Sequence, residues 1–361
     1  MIVQPPWVER LVGSDEPAAR WVALTEIERR PHSDPVVTET RRQVLGDPHT
    51  RDLLDRLVPW EIENRISGHP APSFAPNLLR QLFDIGVRPG DDGRIDACLD
   101  AMTRHVDDRG RLQSLGSYRG RTGWSSLPCD HHAILETLIR GGRGADPVVQ
   151  AGIEVMSAAL AETPQGAGWR CVPDPAVGFR GPGRKADVCP QVTLQALRVY
   201  ALLPHEARPA GLDAATRTPL EVWRRRGNEQ PYMFGHGRSF KEGKWPPTWY
   251  SALEVVATLG RFPRTWAAPA ADPADTQAMA EIGACVTAYV LDGDGQVIPK
   301  SAYRGFAEHS FGRKGHQSDV ATALVLRALV RLEPIAEHVE AVDVLALPGS
   351  KGSVGRPRPP R

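Results

Sequence analysis

Apolar residues recur at helical spacing in five stretches of this chain. They are FAPNLLRQLFDIG (74–86), CDHHAILETLIRGG (129–142), CPQVTLQALRVYALL (189–203), TWYSALEVVATLG (248–260) and SDVATALVLRALVRL (318–332). Within them Ile134, Leu135 and Leu138 share a face, as do Leu194, Leu197 and Ala201, and Leu253, Val256 and Ala257. That period belongs to helices packed into a core. Successive starts lie about 55 to 70 residues apart, an irregular repeat. A second amphipathic segment follows several of them, at 94–106, 145–162 and 276–291. Gly-containing links come next: DDRGRLQS (107–114), TPQGAGWRC (163–171) and DGDGQVIP (292–299). Strand signals are scarce, so the pattern predicts an all-α protein of stacked helical hairpins.

The first 60 residues carry shorter helical patterns at 15–30, 34–46 and 49–58, with Asp or His near their starts. They read as a helical extension, 1–65, packed on an array spanning 66–345. The last stretch, 346–361, is basic and lacks a large apolar anchor over GSKGSVGRPRPPR, so it reads as a disordered tail.

Charge narrows the function classes. Basic and acidic residues number 44 and 43, which argues against a general electrostatic grip on nucleic acid or anionic membrane. No apolar run is long enough to span a bilayer. MIVQPPWVER lacks the basic and apolar regions of a secretory signal. Five cysteines, an odd number, read as reduced cytoplasmic thiols, some of them candidate metal ligands.

GAGWRC (166–171), CPQVTLQALRVYALL (189–203), KWPPTWYSALEVVATLGRF (244–262) and HQSDVATALVLRAL (316–329) carry a resemblance. Over roughly residues 70–335 the chain resembles the terpenoid cyclase and protein prenyltransferase superfamily of α/α toroids. More narrowly it resembles bacterial prenyltransferase-like and squalene-cyclase-like proteins. The resemblance implies an (α/α) toroid. The leading helix of each hairpin would line a central cavity, and all leading-helix N-termini would meet at one rim, with Cys129, Cys189, Thr248 and Ser318 opening those helices.

The resemblance also implies a metal. Asp187, Cys189 and His316 match the Asp-x-Cys and later His that hold zinc in protein prenyltransferases, and upstream Arg184 and Lys185 match basic residues that bind diphosphate. The match departs from that pattern in two places. The two basic residues are adjacent, and Pro190 stands where an aromatic is usual. Cys129, His131, His132 and Cys171 are further candidate zinc ligands at the same rim, since thiolate and imidazole suit Zn²⁺. The plain alternative makes Asp187 a helix cap, the cysteines packing residues and His316 a loop histidine.

Aromatics in the connections include Trp124, Trp169, Trp249 and Tyr250. They would either line a cavity and stabilise a cation or pin the links by packing. Two long basic, Gly-rich loops hold His236, Arg238, Lys241 and Lys244 (232–247) and Arg304, His309, Arg313 and Lys314 (300–317). Among them His236, Arg238 and Arg304 join Arg184 and Lys185 as candidate substrate ligands. The acidic DxDD motif is absent, DDGRID (91–96) reads as a capped turn and DGDG (292–295) as a turn. The combined expectation is a prenyltransferase- or cyclase-like enzyme taking a small anionic or isoprenoid-like substrate, with Asp187, Cys189 and His316 catalytic and Zn²⁺ as cofactor. The alternative is a non-catalytic toroid that binds a ligand or protein.

Overall fold

The computed structural model describes residues 1–62, 64–65, 71–176, 178–181, 184–229, 231 and 234–349, with backbone only at 64–65. The basic tail from 350 onward lies outside the described residues. The chain is mostly helical. Its elements begin with α1 (Pro5–Val12), α2 (Pro17–Val22), α3 (Pro35–Gly46), α4 (Pro48–Asp55), β1 (Asn64–Arg65), α5 (Ala75–Asp84) and α6 (Gly93–Arg104). Next come β2 (Ser114–Tyr118), β3 (Arg121–Ser125), α7 (Pro128–Leu138), α8 (Pro147–Ala158), β4 (Ala161–Thr163), β5 (Gly166–Gly168) and α9 (Pro190–Ala201). The rest are α10 (Leu212–Arg224), α11 (Arg238–Glu242), α12 (Ala252–Leu259), α13 (Pro273–Val290), α14 (Asp319–Leu329) and α15 (Ala336–Glu340).

One local device starts many of these helices. Asp34-Pro35, Asp47-Pro48, Asp146-Pro147 and Asp272-Pro273 each set an Asp N-cap before a first-turn proline. The Asp carboxylate accepts from a backbone N–H two or three residues on, as in Val36 N to Asp34 Oδ1 at 2.7 Å. Proline supplies a fitting φ and gives up an N–H that no helix bond would use. Asp92 caps α6 in the same way, accepting from Arg94 N at 2.9 Å.

The five expected leading helices are present as α5, α7, α9, α12 and α14. Residues 129–138 of α7 are all buried, and α9 is nearly so, which marks helices enclosed on every side. α7 packs on α5 and α9, and α12 on α9 and α14. From α14 the contacts pass through α2, α3 and α4 and return to α5. C-terminal ends meet: Asp84 at the end of α5 pairs with Arg140 just beyond α7 and with Arg327 near the end of α14. Arg331, past α14, donates to the carbonyl of Ala257 in the last turn of α12 at 3.0 Å.

Three local departures from the sequence reading stand out. α12 starts at Ala252 with Ser251 as its cap, so Thr248 lies before the helix. α10 (Leu212–Arg224) contains Pro219 and was not foreseen. Short strands occur where links were expected. β2 and β3 form an antiparallel hairpin with β1 parallel to β2, and β4 pairs with β5. The β2–β3 turn has positive φ at both Arg119 and Gly120, the twist that suits a two-residue hairpin.

Candidate functional site

A cavity of about 230 Å³ lies among α5, α7, α9, α12 and α14. α14 runs along it, with Val320, Leu324, Arg327 and Arg331 facing it in turn. At about 1.5 Å per helical residue that is on the order of 16 Å of lining.

The cavity is polarised. Near the start of α14 its wall carries Asp15, Glu16, Asp47, His49, His309 and Ser310. Glu16 accepts from Ser310 Oγ at 3.1 Å and from Val320 N at 3.0 Å, in the first turn of α14. Burial raises the Glu16 carboxyl above its usual range, against the pull of those two donors. His309 is buried, and its Nε2 lies 2.7 Å from Oδ2 of Asp52. Its ring stacks on Phe311 at 4.8 Å between centroids. Asp52 in turn accepts from Arg56 Nε at 2.7 Å. The carboxylate fixes the tautomer: Nε2 donates, and Nδ1 is left as the ring's acceptor. Burial lowers the His309 pKa despite Asp52.

Charged residues cross the middle. Arg80 of α5 bonds Glu254 of α12 at 2.8 Å, and Arg198 of α9 bonds both Glu136 of α7 at 2.8 Å and Glu254 at 3.2 Å. Burial opposes the charge on Arg80, but Glu254, Glu136 and Asp84 outweigh it and hold the proton more firmly than in a free arginine. Burial likewise opposes the charge on Glu136, and Arg198, Arg80 and Arg140 keep its carboxyl below the usual range.

The far end, at the helix C-termini, is basic. Arg140, Arg261, Arg327 and Arg331 line it beside one acid, Asp84. Asp84 pairs with Arg140 at 2.7 Å and with Arg327 at 3.2 Å. Burial alone would raise its pKa; Arg327 and Arg140 carry it well below the carboxylate range. Burial, together with the charges of Arg261 and Arg327, pushes Arg331 down to about 10.

The sequence-predicted site residues lie elsewhere. Cys129, Cys171 and Cys189 do gather at the start of α7 and α9. Cys189 donates to Cys171, and Cys129 is close enough for its charge to affect Cys189. That hydrogen bond lowers the Cys171 thiol and raises that of Cys189, while burial raises Cys129. Asp187 faces away into an ion pair with Arg184 at 2.9 Å and a hydrogen bond from Gln165 at 3.2 Å. His131 uses both ring nitrogens on backbone: Leu112 N donates to Nδ1 at 3.0 Å and Nε2 donates to Gly152 O at 3.1 Å. His132 bonds Val192 O through Nδ1 at 3.2 Å. His316 is exposed before α14, and Lys185 and Arg304 are exposed as well. Among the described residues no group of three or more His, Cys, Asp or Glu is arranged to hold a metal ion.

The candidate aromatics serve packing contacts. Trp169 is fully buried and donates to Met156 O at 2.7 Å. Trp124 stacks on His105 at 3.5 Å, and Trp249 on Phe234 at 6.2 Å. His236 and Tyr250 bond each other at 2.9 Å within a cluster with Trp223 and Phe240. Arg238 pairs with Glu242 at 2.8 Å on the surface. None of these residues lines the cavity, where the aromatic rings among the described residues are Trp245, Phe311, His49 and His309.

Sequence reasoning missed the interior charges, although a signal was there. Each leading helix carries an arginine in or just after its second half: Arg80, Arg140, Arg198, Arg261 and Arg327. Compared with known proteins, the chain matches no family model, no curated protein and no solved structure.

Proposed function

We propose that the chain is an α/α toroid whose leading helices surround a central cavity, and that this cavity takes a small anionic molecule and acts on it at its His309 end. The observation that carries the reading is the polarised lining: arginines outnumber carboxylates at the helix C-termini, and a carboxylate-held histidine stands at the opposite end. The returning order of helix contacts supports the toroid. Guanidinium forks suit carboxylate and phosphate oxygens, and an enclosed space strengthens each such bond. The charged lining favours the anionic expectation over the isoprenoid one, because a carbocation would need aromatic faces around it. At the other end Nδ1 of His309 accepts a proton from the bound molecule, and Asp52 steadies the imidazolium that forms. Glu16, held toward its neutral form, is the matching proton donor. This reading rests on the cavity's side chains and not on zinc.

A thermal-shift panel of organic phosphates and di- and tricarboxylates tests it, on wild type and on Leu324→Trp, which fills the cavity. Anions that raise the melting temperature of wild type and leave Leu324→Trp unmoved are the expected result. Equal shifts in both proteins, or none in either, overturn it. His309→Gln then separates an enzyme from a binding protein. An enzyme loses turnover of the panel's best ligand in this variant while keeping its binding, whereas a binding toroid returns the ligand unchanged in both forms.

A further inference from the structure

Resting on that reading of the cavity, we infer that its basic end is a subsite for a doubly charged tetrahedral oxyanion, a phosphoryl or sulfuryl group, held by Arg261 with Arg327 and Arg331. The argument begins with partners. Arg327 and Arg140 share the carboxylate of Asp84. Arg331 is tied to Ala257 O and, at 3.6 Å, to Glu26. Arg261 differs. Among the described residues its guanidinium has neither an ion pair nor a hydrogen bond, and it lines the cavity with accessible surface. Arg261 is exposed to solvent, yet Arg327 and Arg140 repel its charge, so a negative group there relieves that repulsion.

The charge count fixes the ligand class. Four cavity-lining arginines face Asp84 there, with Glu26 behind Arg331. The carbonyl ends of the helices take part of that excess through bonds such as Arg331 to Ala257 O. On side chains alone the four arginines exceed Asp84 and Glu26 by two charges, an excess that a doubly charged group offsets more fully than a singly charged one. A single carboxylate brings one charge and a flat pair of oxygens. A phosphoryl or sulfuryl group brings two charges and oxygens pointing toward several guanidinium groups at once. Among the described residues the Arg261 guanidinium is also the one of the four without an ion pair or hydrogen bond, so it can turn onto such a group.

Titration calorimetry with sulfate, inorganic phosphate and succinate tests this on wild type, Arg261→Gln, Arg261→Lys and Leu324→Trp. The inference predicts sulfate and phosphate binding to wild type, at least tenfold weaker in Arg261→Gln and partly restored in Arg261→Lys. Phosphate affinity rises with pH through its second ionisation, while sulfate affinity stays level over the same range. Equal sulfate affinity in wild type and Arg261→Gln overturns the subsite, since the anion then sits elsewhere. Succinate binding that Leu324→Trp abolishes and Arg261→Gln leaves intact also overturns it, but keeps the cavity reading. No binding of any of the three overturns the subsite as well, and the wider anion panel then judges the cavity reading by itself. Far-ultraviolet circular dichroism of each variant confirms that Arg261, whose guanidinium holds no structural partner among the described residues, was replaced without unfolding.

Discussion

Arg80 of α5 and Glu254 of α12 meet at 2.8 Å across the cavity, although α5 packs against α7 and α12 against α9. Glu254 is also the second partner of Arg198. One carboxylate therefore links three leading helices through the interior. Both side chains are about a tenth exposed, 11% for Arg80 and 9% for Glu254. Removing one partner leaves the other charge buried, which typically costs about 3–5 kcal/mol. Glu254→Ala is expected to lose stability of that order in urea unfolding. Arg80→Met/Glu254→Met is expected to lose less than the sum of the two single changes. A strictly additive double variant would show that the two charges do not act as a pair.

Three histidines are folded in their neutral form. Burial pushes His131 down to about 4, and His132 and His236 to about 3. Their folded pKa values lie below the free value, so the unfolded chain binds protons first as pH falls. Stability is full above the free imidazole value of about 6.5 and declines as pH drops from there toward 4, by up to about 1.4 kcal/mol per pH unit for each histidine. Urea midpoints between pH 7 and 5.5 read this loss above the range of an ordinary carboxylate. His236→Phe removes one of these groups and is expected to flatten the slope by less than a third, because His309 is also held below its free value and adds to it. An unchanged slope would show that His236 is not buried neutral.

Cys171 should be the fastest of the thiols. Cys189 donates to it and lowers its pKa, whereas burial pushes Cys98 up to about 12 and Cys285 up to about 11. The thiolate is the reactive form. Iodoacetamide labelling at neutral pH, read by peptide mass spectrometry, is expected to mark Cys171 first. Cys189→Ala is expected to slow that labelling by returning the thiol to its ordinary range. Labelling of Cys98 or Cys285 as fast as Cys171 would contradict the arrangement.

Much of the helical frame was legible in the chain because its signals are local. Apolar spacing located α5, α7, α9 and α14, and Asp92 was read as a cap at the start of α6. α10 was hidden by Pro219, which reads as a break but sits within the helix. α12 starts past the expected Thr248 because Ser251, in extended conformation, caps it by accepting from Glu254 N. The cavity was illegible for a different reason. A charged residue on an apolar helix reads as the solvent face, and Arg80, Glu136, Arg198 and Glu254 fit that reading until the neighbouring helices cover every side. His309 was seen only as part of a basic loop. Its partner Asp52 lies far away in the N-terminal helices, and no local spacing joins them.

Arginine footprinting tests the central claim most directly. Phenylglyoxal modifies accessible guanidinium groups, and peptide mass spectrometry reads each site with and without the best anion from the panel. The account predicts that Arg261 reacts in the free protein and is protected by the anion, while the surface residues Arg238 and Arg304 react equally in both states. Protection that is absent from Arg261, or that falls evenly on Arg238 and Arg304, would contradict an anion in the central cavity.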